Sequence, residues 1–242
     1  MKPIYVPKGK AKEYGDYAIN IYTGCPHRCY YCFAPSVLRK KREDFHSHVE
    51  PRSGIVEAVK KQIESEKING KLIHLCFTCD PYPLRHDSTP TREIIQAIKD
   101  SGNHVQILTK NGIGARRDFD LLDSEDWFGV TYAGYKTSPV LPPEEEQNAG
   151  WPIDRFRALV LAKSKGINTW VSCEPVFITE AIYRLIETGA YIDLFKIGKL
   201  NYHPSEINWK EFGAECERLC IEYGRNYYIK ESLRSEMEKN TY

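Results

Sequence analysis

Short apolar runs and longer amphipathic stretches take turns along the chain. Tyr17–Tyr22, Leu72–Phe77, His104–Thr109, Phe128–Tyr132, Thr169–Cys173 and Ile192–Ile197 are rich in β-branched and aromatic residues and read as strands. Between them, apolar residues recur every three to four positions, as on one face of a helix: Ile55, Val59 and Ile63; Ile94, Ile95 and Ile98; Phe156, Leu159 and Val160; Ile182, Leu185 and Ile186. Boundary residues fit. Ser53 and Thr89-Pro90 open two of these helices, and Asn69-Gly70, Gly102, Gly166 and Gly189 close four of them. A shorter helix is expected near Asp118–Leu122. Asn208 and Glu211 form a capping arrangement ahead of Phe212, Cys216, Leu219, Cys220 and Tyr223, closed by Gly224. Tyr227–Ile229 reads as a seventh short strand before a last small helix.

Strand, loop and helix in repetition predict an α/β fold with a parallel sheet. Six such units make three-quarters of an eight-unit barrel, a partial (βα)6 TIM-type barrel with its strand ends on one face and a lateral mouth. The expected organisation is a single domain over residues 1–242, with a core of about 17–201 and a carboxyl-terminal extension over 202–242. Ser138–Gly150, rich in proline and glutamate, is expected to be a surface loop.

Charge narrows the function only slightly. With 34 basic against 33 acidic side chains, no net field marks the chain for nucleic acid or anionic membrane. No apolar run approaches the roughly 20 residues a membrane span needs, and Met1–Lys12 is basic without an apolar signal core. A cytoplasmic location is expected, consistent with cysteines kept reduced. The run Arg39–Arg42 suits either a phosphate-contacting patch or a solvated helix end, while His46 and His48 have no nearby partners that would complete a metal site.

The chemistry concentrates in Thr23-Gly24-Cys25-Pro26-His27-Arg28-Cys29-Tyr30-Tyr31-Cys32-Phe33, just after the first strand. Three cysteines at Cys-x3-Cys-x2-Cys supply three thiolates. A structural zinc closes with four protein ligands, whereas a 4Fe-4S cube held by three cysteines keeps one iron open. Zinc completed by His27 or a distant residue is the competing reading.

The motif, with Tyr31 at the aromatic position of Cys-x3-Cys-x-aromatic-Cys, resembles that of the radical S-adenosylmethionine (SAM) enzymes. Asp80-Pro81-Tyr82, Leu108-Thr109-Lys110 and Glu174-Pro175 after later strands are similar to the branch containing spore photoproduct lyase and the DNA repair photolyases. The resemblance implies that Cys25, Cys29 and Cys32 bind the cluster and SAM chelates its open iron. It also implies that SAM is cleaved reductively, with electrons from a donor such as flavodoxin or ferredoxin, to a radical that abstracts hydrogen from a bulky substrate. That substrate is expected to be a nucleic acid, with a peptide or small metabolite as the alternative and a zinc-bound, non-catalytic nucleic-acid module as the third reading. Tyr31 and Phe33 would line the SAM pocket, Lys110 would reach the SAM carboxylate, and Cys79, Asp80, Thr131 and Glu174 complete the implied SAM contacts. The cysteine that returns hydrogen in the lyase aligns near Phe77, flanked by Cys76 and Cys79. On a strand these two face opposite sides, and Cys79, nearer the strand end, is the expected donor. Cys216 and Cys220, one helical turn apart, are expected to be packed core thiols. Trp151, Tyr202 and Tyr82 are candidates for stacking on bases.

Overall fold

The computed structural model describes residues 2–135 and 145–239. Its strands are β1 (Ile4–Tyr5), β2 (Tyr17–Ile19), β3 (Leu72–Leu75), β4 (His104–Thr109), β5 (Trp127–Thr131), β6 (Asn168–Cys173), β7 (Leu194–Ile197) and β8 (Tyr227–Ile229). They form one sheet in chain order, parallel from β2 to β8, with β1 antiparallel on β2. Among the described residues the ends of the sheet do not pair, so the expected partial barrel is what forms. Two-residue β1 has no readable period and was not among the expected elements.

The longer helices are α3 (Ile55–Glu66), α4 (Thr89–Asp100), α6 (Pro152–Ser164), α7 (Thr179–Thr188) and α8 (Trp209–Glu222). Short pieces fill the loops: α1 (Ala34–Val37), α2 (Arg42–Ser47), α5 (Gly112–Ala115) and α9 (Glu231–Met237). Some boundaries depart from expectation. Gly54, in the left-handed region, precedes α3 instead of Ser53, and left-handed Lys67 ends it before Asn69-Gly70. Ser88 precedes α4, while the Asp87 carboxylate accepts from the Thr89 N–H and hydroxyl. The helix expected at Asp118–Leu122 lies earlier, as α5 and a 3-10 turn over Arg116–Asp118.

Alternation along the strands divides the sheet into two faces. Ile73, Leu75, Val105, Ile107, Phe128, Val130, Val171, Phe195 and Ile197 pack with the apolar stripes of the helices in one core. Expelling this surface from water is the main stabilising term. The other face is polar: His74 meets Gln106 at 2.8 Å, and Lys196 lies 5.0 Å from the Trp170 ring centroid. Gly129 makes room there, since a Cβ on it would fall 2.2 Å from Trp170 Nε1. Tyr14 enters the same space, edge-on to His74, Phe77 and Trp170. The amino-terminal segment is thereby tied to the far strands. Lys196 donates to the Glu13 carbonyl at 2.9 Å, the Glu231 N–H to the Glu13 carboxylate at 2.9 Å, and Lys10 to Asn201 at 3.0 Å. The expected lateral mouth is therefore partly spanned by residues 9–14.

The lumen carries a pH prediction. Burial drives the His74 imidazole down to about 3, helped by Lys196 and Lys230 and only partly countered by Gln106. An unfolded histidine titrates near 6.5, so on acidification the unfolded chain takes up this proton first. Stability is then lost from about pH 6.5 downward, at about 1.4 kcal/mol per pH unit for this group. Urea midpoints measured across that range should fall more steeply for the wild type than for His74→Phe. Equal slopes would contradict the assignment.

Candidate active site

The cysteine loop leaves β2 through Gly24, whose missing side chain is a packing requirement. A Cβ there would lie 2.3 Å from the Phe45 carbonyl and 2.5 Å from that of His48. This close approach lets α2 fasten the loop from below. His46 Nδ1 meets the Cys25 carbonyl at 2.7 Å, and the Cys25 N–H donates to the Phe45 carbonyl at 3.3 Å. The Arg42 guanidinium donates to the Cys29 carbonyl and, at 3.3 Å, to that of Cys32, while Lys40 donates to the Thr23 carbonyl at 2.8 Å. Lys40 and Arg42 in the basic run thus brace the loop, a use that neither sequence reading of Arg39–Arg42 anticipated.

Cys29 is buried; Cys25 and Cys32 are half-buried. Burial pushes all three thiols up, Cys29 to about 12; the charge on Lys110 pulls Cys29 and Cys32 back, while Asp80 and Cys29 raise Cys25 further. Among the described residues, no group of three or more His, Cys, Asp or Glu converges on a point suited to a single metal ion. The donor set, three cysteines on one braced loop with a lysine among them, fits an iron-sulfur cluster; a fourth protein ligand for zinc has no candidate in His27. Its Nε2 accepts from the Leu84 N–H at 3.2 Å, and its Nδ1 lies 3.5 Å from Asp80.

Lys110, at the end of β4, lies 5.6 Å from the Tyr31 ring centroid. Burial alone would lower its ammonium, but Cys29, Glu146 and Asp80 outweigh that and keep it charged. Asp80 fixes where Lys110 stands. One carboxylate oxygen accepts from the Thr109 hydroxyl (2.6 Å) and the Tyr82 N–H (2.8 Å), the other from the Lys110 N–H (2.8 Å). Both oxygens are thus engaged within the protein, so Asp80 shapes the site from behind.

Other expected residues lie at different points on the same face. Glu174 pairs with Lys230 and accepts from Asn201 at 2.9 Å. Thr131 is buried, its carbonyl taken by Arg155 at 3.0 Å. Phe33 is 48% exposed. Cys79 accepts from the Tyr22 N–H at 3.4 Å. The strand stops at Leu75 and residues 77–79 bend, so the strand alternation that would set Cys76 and Cys79 on opposite faces does not reach them. Tyr82, 1% exposed, is unavailable for stacking. Cys216 and Cys220 are fully buried, as expected.

The sequence reading missed Glu146. The expected surface loop lies outside the described residues over 138–144, but its remainder docks onto the cysteine loop. Glu146 bridges Cys29 in antiparallel fashion, the Tyr30 N–H donates to the Glu145 carbonyl (3.0 Å), and the Asn148 N–H donates to that of His27 (3.2 Å). The Glu146 carboxylate, with no exposed surface, binds Arg155 and the hydroxyls of Tyr31 and Tyr135. Burial would raise it; Arg155 and Lys110 first, then the two hydroxyls, hold it below the usual carboxylate range. The legible signal was Arg155 itself, which shares the apolar stripe of Ala158, Leu159 and Ala162 on α6.

Comparison with known proteins points the same way. The sequence pattern of the Radical SAM superfamily matches residues 19–180. An uncharacterized protein of Mycobacterium tuberculosis (strain ATCC 25618 / H37Rv) is 26% identical over 198 residues, covering 78% of this chain and 56% of that protein. The chain thus spans little more than half of that relative's length. An uncharacterized protein of Methanocaldococcus jannaschii is 26% identical over 218 residues, covering 85% of this chain and 76% of the other. Among solved structures, spore photoproduct lyase complexed with dinucleoside spore photoproduct is similar with a TM-score of 0.69 at 14% identity, over 93% of this chain and 79% of that one. Streptococcus suis SuiB bound to S-adenosylmethionine is similar with a TM-score of 0.67 at 11% identity, over 93% and 53%. At such identities the likeness is one of fold.

Proposed function

The chain belongs to the Radical SAM superfamily, and from that premise we propose that it binds a 4Fe-4S cluster and SAM and abstracts a hydrogen atom from a bulky substrate, a nucleic acid before a peptide. Bound together, cluster and SAM supply reductive cleavage of the sulfonium bond and with it a 5′-deoxyadenosyl radical. Cys25, Cys29 and Cys32 would hold the cluster. Lys110 would meet the SAM carboxylate by a charge-assisted hydrogen bond, with Asp80 as its positioning residue. Tyr31 and Phe33 would border SAM, and Thr131 and Glu174 would contact its ribose or methionine part. Cys79 would return a hydrogen atom to the substrate. The observation that carries this reading is that three cysteines lie on one loop braced by Arg42 and His46, with the Lys110 ammonium 5.6 Å from the ring of Tyr31 in that loop.

The nucleic-acid reading is favoured by aromatic side chains at the strand-end face. Tyr30, 43% exposed, stacks with Phe177 and meets His203 edge-on. Tyr202, 84% exposed, has the Lys10 ammonium 5.4 Å from its ring. Aromatic faces beside a cation suit single-stranded bases and their phosphates. Spore photoproduct lyase has been solved with a dinucleoside; the peptide alternative draws on SuiB, solved with its precursor peptide SuiA. An external one-electron donor is part of the same proposal.

The test is anaerobic turnover with SAM and reductant, with 5′-deoxyadenosine and methionine counted in the presence of an oligonucleotide or a peptide. The oligonucleotide should stimulate SAM cleavage, and Tyr202→Ala should weaken its binding by about 1–3 kcal/mol, the worth of one stacked base. Stimulation by peptide alone would overturn the nucleic-acid reading.

A further inference from the structure

Between β1 and β2 the chain forms a strap, an extended Lys8 followed by a 3-10 turn over Gly9–Glu13 and then Tyr14. One end of the strap is fixed to the far side of the barrel. Lys196 donates to the Glu13 carbonyl and the Glu231 N–H to the Glu13 carboxylate, both at 2.9 Å, and Lys230 donates to the Tyr14 hydroxyl. The Tyr14 ring stands edge-on to Trp170 in the lumen. These anchors leave the basic residues outside. Lys8, Lys10 and Lys12 are all exposed, and Lys8 and Lys12 make no hydrogen bond or ion pair among the described residues. Lys10 gives one of its three donors to the neutral amide oxygen of Asn201 at 3.0 Å, so its charge is uncompensated as well. The turn carries no acidic residue in its first part, and Glu13 is already engaged by Glu231.

Lys10 also joins the strap to an exposed ring. Tyr202 adopts φ +64°, a left-handed conformation that residues with a side chain seldom take, and its side chain is 84% exposed. Asn201 holds that turn, donating to Glu174 at 2.9 Å and to the Lys199 carbonyl at 3.1 Å while it accepts from Lys10. The Lys10 ammonium lies 5.4 Å from the Tyr202 ring centroid. A backbone held in a costly conformation thus keeps a large ring in water beside a row of free cations.

We propose, resting on the nucleic-acid reading above, that the strap is the entry track for an unpaired strand: Lys8, Lys10 and Lys12 meet its phosphates at the edge of the barrel mouth, and Tyr202 stacks on one of its bases. A duplex keeps its base faces inside its own stack and offers the strap phosphates alone, so the unpaired form binds more tightly. The attraction is local, because the chain as a whole carries a net charge of only +1. The anchored strap holds its backbone in place before the strand arrives, which lowers the ordering cost of binding.

The experiment follows fluorescence anisotropy of labelled oligothymidylate, its duplex with oligoadenylate, and an abasic strand of equal length, across a salt series and without SAM. The single strand should bind more tightly than the duplex. With Lys8→Gln, Lys10→Gln and Lys12→Gln together, the slope of log affinity against log salt should become shallower by about 2, three phosphates at about 0.7 each. Arginine at the same three positions should keep the wild-type slope. Lys60→Gln, Lys61→Gln and Lys67→Gln, which remove the same charge around α3, should keep it too. Tyr202→Ala should weaken oligothymidylate binding by about 5- to 150-fold and leave the abasic strand unaffected. A wild-type slope in the strap variant, an equal loss in the α3 variant, or tighter binding of the duplex would overturn the proposal. An oligonucleotide that stimulates SAM cleavage while the strap variant binds it like the wild type would sink the track and leave the radical reading standing. Binding along the strap by a chain that never cleaves SAM would do the reverse.

Discussion

Cys29→Ala should abolish both the broad visible absorption of an iron-sulfur cluster and the cleavage of SAM. Cys29 is the most buried of the three motif cysteines and the one on which Lys110 and Glu146 both bear. Its loss leaves two thiols, too few to hold a cube with one open iron. The folded core should survive, because the sheet and its helices pack without this side chain. Far-ultraviolet circular dichroism should therefore be unchanged while iron content falls to background. A variant that keeps its colour and its 5′-deoxyadenosine production would remove Cys29 from the ligand set.

Arg155→Ala should be the most destabilising single change outside the motif. Its guanidinium is wholly buried, binds Glu146 and the Tyr135 hydroxyl (2.9 Å), and donates to the carbonyls of Thr131 (3.0 Å) and Gly150 (2.8 Å). Removing it strands the Glu146 carboxylate, without exposed surface, against Tyr31 and Tyr135. Breaking a buried pair from one side costs about 3–5 kcal/mol. The double variant Arg155→Met with Glu146→Gln should recover part of this, since no charge is then left unpaired. Chemical denaturation measures both. An Arg155→Ala chain as stable as the wild type would show that Glu146 finds water or another cation. Because Glu146 also grips Tyr31 and bridges Cys29, the single variant should load its cluster poorly even where it folds.

The two variants separate what the sequence reveals from what it hides. Strands β4 and β8 fall on their expected residues because alternation and flanking turn residues are local signals, and the cysteine loop is legible because ligand spacing is local as well. Glu146 is hidden because its partner Tyr31 in the cysteine loop lies 115 residues away, and because its own segment, with its prolines and glutamates, reads as solvent-facing. Only Arg155, a cation on an apolar helical stripe, hints at a buried anion. The course of the chain at Cys76 and Cys79 is hidden by a boundary. Extending the strand to Phe77 sets them on opposite faces, but the chain leaves the sheet after Leu75 and Cys76 turns left-handed. Asp80 is visible as part of a motif, yet only its hydrogen bonds show that it holds Lys110 and Thr109 from behind.

The most direct measurement is the metal content of the anaerobically reconstituted chain, with electron paramagnetic resonance of the reduced protein before and after SAM is added. About four irons and four sulfides per chain, and a resonance that SAM displaces, are the expected result for a cube with one open iron. A colourless chain with a single zinc, or a cluster whose signal ignores SAM, would contradict it.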